Sequence, residues 1–264
     1  MDGRRIVGGN TTILDRADID GGGTGLYLLV APGKRVTFDA LSAAIDDSPF
    51  LSITSAASDA AITDTGIELV IDGLTFDLFG LSDAPHVEQA SWAHTVAFDG
   101  MPASSRFEML VLKPGPHLAG GHALLPVVRG WMQCAQILAE ALPDCTALVW
   151  PPASLAVGAG FFCAGVRRWV ERGTFPTASL VAFDTSLDGA LQSKGLSYLT
   201  GQEMRLEQPL PEVLVDAERV ALALAGHLAL SGRIDAVQEV TAPDGRPLRL
   251  APSTNGRFVR VTAG

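Results

Sequence analysis

Aromatic residues are few, 6% of 264, and cysteine is scarcer still, with three in the whole chain. Cys134, Cys145 and Cys163 are odd in number and sit in apolar settings, which argues against a disulfide framework and for a reducing, cytoplasmic compartment. Cationic residues are also short: 19 Lys and Arg stand against 29 Asp and Glu, a net charge of −10, with no basic run. A nucleic-acid binder needs cations to neutralise phosphate and release counterions, and an acidic surface repels anionic lipid headgroups as well. No stretch approaches the ~18 uninterrupted apolar residues of a membrane span. The start, Met1-Asp2-Gly3-Arg4-Arg5-Ile6, lacks the apolar core and cleavage site of a signal peptide. Neither nucleic acid nor membrane is an expected partner.

What is abundant is small and apolar. Hydrophobic residues make up 47% and charged residues 18%, a balance that excludes disorder for the bulk of the chain. A chain of this length buries roughly three quarters of the surface its unfolded form exposes.

Residues 1–23, ending in Gly21-Gly22-Gly23, show no periodicity and read as a loose leader. Leu26–Val30 is a continuous apolar run and so a buried strand. Thr37 is placed to cap a helix carrying Phe38, Leu41 and Ile45. Strands are expected over 50–54, 67–71, 74–79, 93–98, 107–112 and 146–150. Asp72-Gly73 is the strongest hairpin signal, and Asp99-Gly100-Met101-Pro102 reads as a turn. A long helix with Trp131, Ala135, Leu138 and Leu142 on one stripe takes Pro126 in its first turn. Phe161, Gly165, Arg168 and Arg172 mark another helix. A strand over 178–183 follows, then one or two strands across 195–206. A last helix runs from Pro211 through Leu214 and Leu228 to Gly232. A closing hairpin turns at Asp244-Gly245, with an edge strand at 258–261. The pattern is α+β, with mixed, mainly antiparallel sheets and helices on one face. LYLLVAPG (26–33) and FEMLVLKPG (107–115) repeat one theme, suggesting two halves, 24–104 and 105–264, packed as one unit.

Candidate chemistry is sparse. His117 and His122, five apart across Gly120-Gly121, cannot share a helical face as zinc ligands do, so no metal and no cofactor is expected. No nucleophile elbow occurs. Gly158-Ala159-Gly160 opens a helix, which suits either an anion or close helix packing, and close packing is the preferred reading. Asp184 and Glu203 stand at strand margins, positions that suit acid–base work or turn hydrogen bonds. Trp150, Phe161 and Trp169 are candidates to line an apolar pocket with Pro151-Pro152 as its lip.

The order strand, long helix, strand over 107–150, and the stretch Ser193-Lys194-Gly195-Leu196-Ser197-Tyr198-Leu199-Thr200-Gly201-Gln202-Glu203-Met204-Arg205-Leu206-Glu207, resemble domain-of-unknown-function family 4261, over about 66–262. In that family an aromatic-glycine pair is expected where Leu199-Thr200-Gly201 stands, and an acidic residue is common at Arg205. The resemblance implies a shared fold and no activity. The expected function is a non-catalytic binding or interaction module with a small molecule or protein as partner, a homodimer being one form of it. The alternative is a hydrolase-like enzyme using His117 or His122 with Glu203 or Asp184 in a cleft between the halves.

Overall fold

The computed structural model describes residues 25–55, 66–98, 102–213, 216–242 and 244–264. The leader at 1–23, the turn at 99–101 and Leu214 of the last helix lie outside them. Two sheets and seven helices are found among the described residues, an α+β fold.

The first sheet holds β1 (Leu26–Val30), β2 (Ser52–Ser55), β3 (Ile67–Ile71), β4 (Leu74–Phe79), β5 (His94–Val96), β6 (Glu108–Pro114), β7 (Cys145–Trp150) and β8 (Leu155–Gly158). Its order is β2-β3-β4-β6-β1-β7-β8-β5. β1 is apolar throughout because it is central: Leu26 pairs Leu112 of β6 on one side, and Tyr27 pairs Val149 of β7 on the other. Strand alternation then divides its side chains between two faces. Leu26, Leu28 and Val30 join the main core, under the helices α1 (Phe38–Ile45), α2 (Leu125–Ala141) and α3 (Ala159–Arg172). Leu29 joins Met109, Ala147 and Val149 on the other face, where Trp92, Phe98 and Phe107 cover them.

The second sheet, in order β12-β13-β14-β11-β10-β9, is built from β9 (Ala182–Thr185), β10 (Leu191–Lys194), β11 (Glu203–Leu206), β12 (Gln238–Thr241), β13 (Pro247–Pro252) and β14 (Phe258–Ala263). α4 (Thr177–Leu180), α5 (Leu196–Thr200) and α6 (Leu210–Val213) pack on the long α7 (Ala217–Ser231). One buried cluster runs from Leu28 and Trp131 through Trp150 and Leu196 to Val259 and Val261, so both sheets share a core.

Thr37 caps α1, its side chain accepting from the Ala40 N–H, and Pro126 lies in the first turn of α2. Several expectations need correcting. The division at 104/105 runs through the first sheet, since β6 pairs both β1 and β4; the change of sheet falls between β8 and β9. The echo at 26–33 and 107–115 marks two neighbouring antiparallel strands, each followed by a helix. The strand expected over 178–183 is α4 followed by β9, and the stretch 195–206 contains a helix, α5. β14 is interior, between β13 and β11, because parallel pairing with β11 takes up its free edge.

Gly195, at φ +98, opens α5 in a tight place: a Cβ there would stand 2.8 Å from both the Ala153 methyl and the Leu180 carbonyl. Gly173, at φ +75, ends α3 with nothing within 4 Å. Both glycines relieve backbone strain, but only Gly195 also avoids a clash. Gly173→Ala is expected to cost about 1 kcal/mol and Gly195→Ala at least about twice that. Urea unfolding midpoints check this; equal losses would show that crowding at Gly195 is unimportant.

Candidate functional site

Glu203 opens β11 and points back at α5. Its carboxylate accepts from the Gly195 N–H at 2.9 Å, the Ser197 N–H at 3.0 Å and the Leu196 N–H at 3.3 Å. The hydroxyls of Ser193 and Ser197 donate to it as well. An α-helix leaves its first N–H groups without partners, and an anion at that end also meets the positive pole of the helix. Glu203 therefore works as a helix cap supplied from eight residues downstream, with five donors around two oxygens. Ser193 passes the network on, its Oγ accepting from the Met204 N–H at 2.7 Å. Next to it, buried Gln202 donates to the carbonyls of Ile234 and Gly256 and accepts from the Ile234 N–H. That ties β11 to the segment after α7 and to the β13–β14 turn. Neither role is visible in sequence, because the partners of Gln202 lie 32 and 54 residues away.

The four candidate acid–base residues are not gathered into one site. His117 sits beyond β6, its Nε2 3.0 Å from the Thr75 hydroxyl. His122 donates from Nδ1 to the Ala119 carbonyl at 2.7 Å, which fixes that tautomer. Among the described residues neither histidine shares a hydrogen bond or ion pair with Glu203 or Asp184. Asp184, exposed on β9, instead has His94 of β5 as its neighbour, Nε2 to Oδ2 3.4 Å. That contact joins an edge strand of one sheet to an edge strand of the other.

The aromatic candidates are likewise separated. Trp150 is buried between Trp131, edge-on at 5.3 Å, and Tyr198 of α5, edge-on at 5.0 Å. Its indole N–H is buried without a hydrogen-bond partner. Trp169 stands edge-on to Phe175 and lines one groove, while Phe161 lines another. Eight positions apart on α3, the two rings lie roughly 80° around the helix from each other, enough to face different neighbours.

Those grooves are two concave features of the helical layer. The larger, about 660 Å³, runs between α2, α3 and the end of α7. Leu74, Leu125, Pro126 and Trp169 line it, with Arg129 and Asp72 as polar groups, and Phe50 and Leu230 stand in its wall exposed by 60% and 52%. The smaller, about 330 Å³, lies between α3, α4 and α7. Both fall within the size and polarity of ligand sites, apolar with a few polar groups.

No thiol serves as a nucleophile at neutral pH. Burial pushes Cys145 up to about 12 and Cys163 up to about 11, and raises Cys134 further. Gly158 is packed against backbone, since a Cβ there would fall 1.9 Å from the Ala97 carbonyl oxygen, in accord with close packing at that helix start. Among the described residues no group of three or more His, Cys, Asp or Glu side chains could hold a metal, and no helix is long and apolar enough to cross a membrane. Set beside known proteins, the chain matches no family model, no curated sequence and no solved structure.

Glu203→Ala is expected to lower stability by about 3 kcal/mol, since hydrogen bonds to a charged group contribute about 1.5–3 kcal/mol each and several are lost together. Glu203→Gln is expected to fall between, because an amide keeps one acceptor oxygen and turns N–H groups toward the remaining donors. A Gln variant as stable as wild type in urea would refute the cap. For the thiols, dithiobis(nitrobenzoate) is expected to react with none in the native protein near neutral pH and with all three in denaturant. The same thiols set an alkaline limit. Above the ordinary thiol value of 9.0 the unfolded chain releases protons, while the folded protein holds them to about 11 at Cys163 and about 12 at Cys145. Stability conferred by these neutral thiols is thus complete below 9.0 and falls as pH rises, through about 11 for Cys163 and about 12 for Cys145. Cys145→Ala with Cys163→Ala is expected to flatten that part of a thermal-midpoint profile.

Proposed function

We propose that the chain is a non-catalytic interaction module that takes an apolar anchor of a basic protein partner into the 660 Å³ groove. The observation that carries this reading is the pair Phe50 and Leu230, large apolar side chains left half-exposed or more around a concave, mostly apolar surface. Interfaces concentrate their energy where an anchor side chain fills a pocket ringed by polar groups, and Arg129, Asp72 and Gln133 supply such groups here. The net charge of −10 favours a partner with a basic face, by steering and by discrimination against acidic ones. The hydrolase alternative has weaker support, since the carboxylate it needs from Glu203 is taken up by five donors. Kinship with domain-of-unknown-function family 4261 and a cytoplasmic location belong to the same proposal. The strand–helix order over 107–150 supports the first, and three unpaired cysteines support the second.

The test is selection of random displayed peptides on the full chain, with Phe50→Ser/Leu230→Ser as the counter-target. Both side chains are exposed, so the double variant should fold normally by circular dichroism. Enriched peptides are expected to pair a bulky apolar residue with Lys or Arg and to bind the variant at least about tenfold more weakly, a loss of about 1.4 kcal/mol. Peptides without an apolar anchor, or with equal affinity for the variant, would overturn the reading. Self-association in sedimentation that the same pair abolishes would identify the partner as a second copy of the chain.

A further inference from the structure

The smaller groove carries an inference independent of the larger one. Its lining includes two exposed arginines, Arg168 from α3 and Arg219 from α7, whose exposure puts them on the solvent side. Arg167, next in sequence, pairs with Glu140, whereas Arg168 makes no ion pair among the described residues. Arg219 has Asp216 at 3.8 Å, both side chains well exposed, a contact that screens easily. On a chain of net charge −10, two cations lining one mostly apolar groove form a local inversion of sign.

The floor differs from the mouth. Phe175 and Pro176 are buried, Phe161 is 38% exposed, and Leu222 closes the α7 side. Ser179 lines the same groove, is 1% exposed, and its hydroxyl has no hydrogen-bond partner. Gly165 leaves room beside it, since a Cβ there would stand 3.5 Å from the Ser179 oxygen. A buried hydroxyl without a partner lowers stability, and such groups are rare unless something completes them. The volume, about 330 Å³, holds roughly a dozen non-hydrogen atoms at about 30 Å³ for each water-sized group.

We infer that this groove binds a small monocarboxylic acid with an apolar body and one oxygen at its far end. Arg168 and Arg219 take the carboxylate at the mouth, where Arg geometry suits paired hydrogen bonds to a planar anion. Phe161, Pro176 and Leu222 hold the body, and the Ser179 hydroxyl donates to the distal oxygen. The inference does not rest on a protein partner at the other groove, and each can fail without the other.

The experiment titrates the full chain by calorimetry with para-hydroxyphenylpropionate, phenylpropionate, which lacks the distal oxygen, and para-ethylphenol, which lacks the carboxylate. The expected order of affinity is as written, with saturation at or below about 10 mM. Arg168→Gln/Arg219→Gln, both at exposed positions, is expected to weaken both acids at least about tenfold and leave the phenol unchanged. Ser179→Ala is expected to erase the preference for the hydroxylated acid and to raise the thermal midpoint of the ligand-free protein, because the partnerless hydroxyl is gone. Ala223→Phe, on the exposed wall of α7, is expected to block all three ligands. The inference is overturned by unchanged acid binding in the double Gln variant, or by a hydroxyl preference that survives Ser179→Ala. A lower midpoint for Ser179→Ala, or absence of saturable binding by the wild type, overturns it equally.

Discussion

The carboxylate of Glu203 stands where two strands and a helix have to agree. It belongs to β11, yet its hydrogen bonds go to the last residues of β10 and the first turn of α5. A five-residue helix has little stability of its own, because nucleation is costly and few internal bonds repay it. What holds α5 in place is this cap at one end, Gly201 in the left-handed region at the other, and burial of Leu196. Once held, α5 presents Tyr198 to Trp150 and to the His122 carbonyl, and so brings the second sheet against the first.

A second consequence is chemical. Surrounding a carboxylate with five donors occupies its lone pairs, which serves architecture and leaves few free to accept a proton from a substrate. His117 and His122 follow the same logic, meeting the Thr75 hydroxyl and the Ala119 carbonyl respectively. Polar side chains in this fold are mostly spent on joining segments. The two grooves beside α3 and α7 are left largely to apolar groups, with arginines and an isolated hydroxyl among them.

The helical layer explains why those surfaces exist. α2 and α3 pack on the first sheet, and α7 packs on α4, α5 and α6, so these helices meet along seams that their own side chains largely line. Small residues deepen the seams: Gly130 approaches Leu74, and Gly165 approaches Pro176 and Ser179. A Cβ at Gly130 would stand 2.8 Å from the Leu74 side chain, so glycine there bears on shape as well as packing.

Local pattern was enough for the elements whose partners are near in sequence. The apolar run of β1, the Asp72-Gly73 hairpin, the Thr37 cap and Pro126 in the first turn of α2 all depend on forces acting within a few residues. The stretch 195–206 was expected to hold one or two strands: β11 is one, while apolar residues before it that fit a pleat fit one helical turn as well, and form α5. Only the return of Glu203 decided for the helix. β14 was expected at an edge and became interior because β11, some fifty residues earlier, pairs with it in parallel. The aromatics Trp150, Phe161 and Trp169 were identified as candidates by type, but helix phase and packing sent them to three different surroundings. Composition and short-range periodicity thus determined the class of fold and most of its pieces. Tertiary contact alone decided which carboxylate is a cap, which hydroxyl is left without a partner and where the grooves lie, since each depends on residues that meet only after the chain has folded.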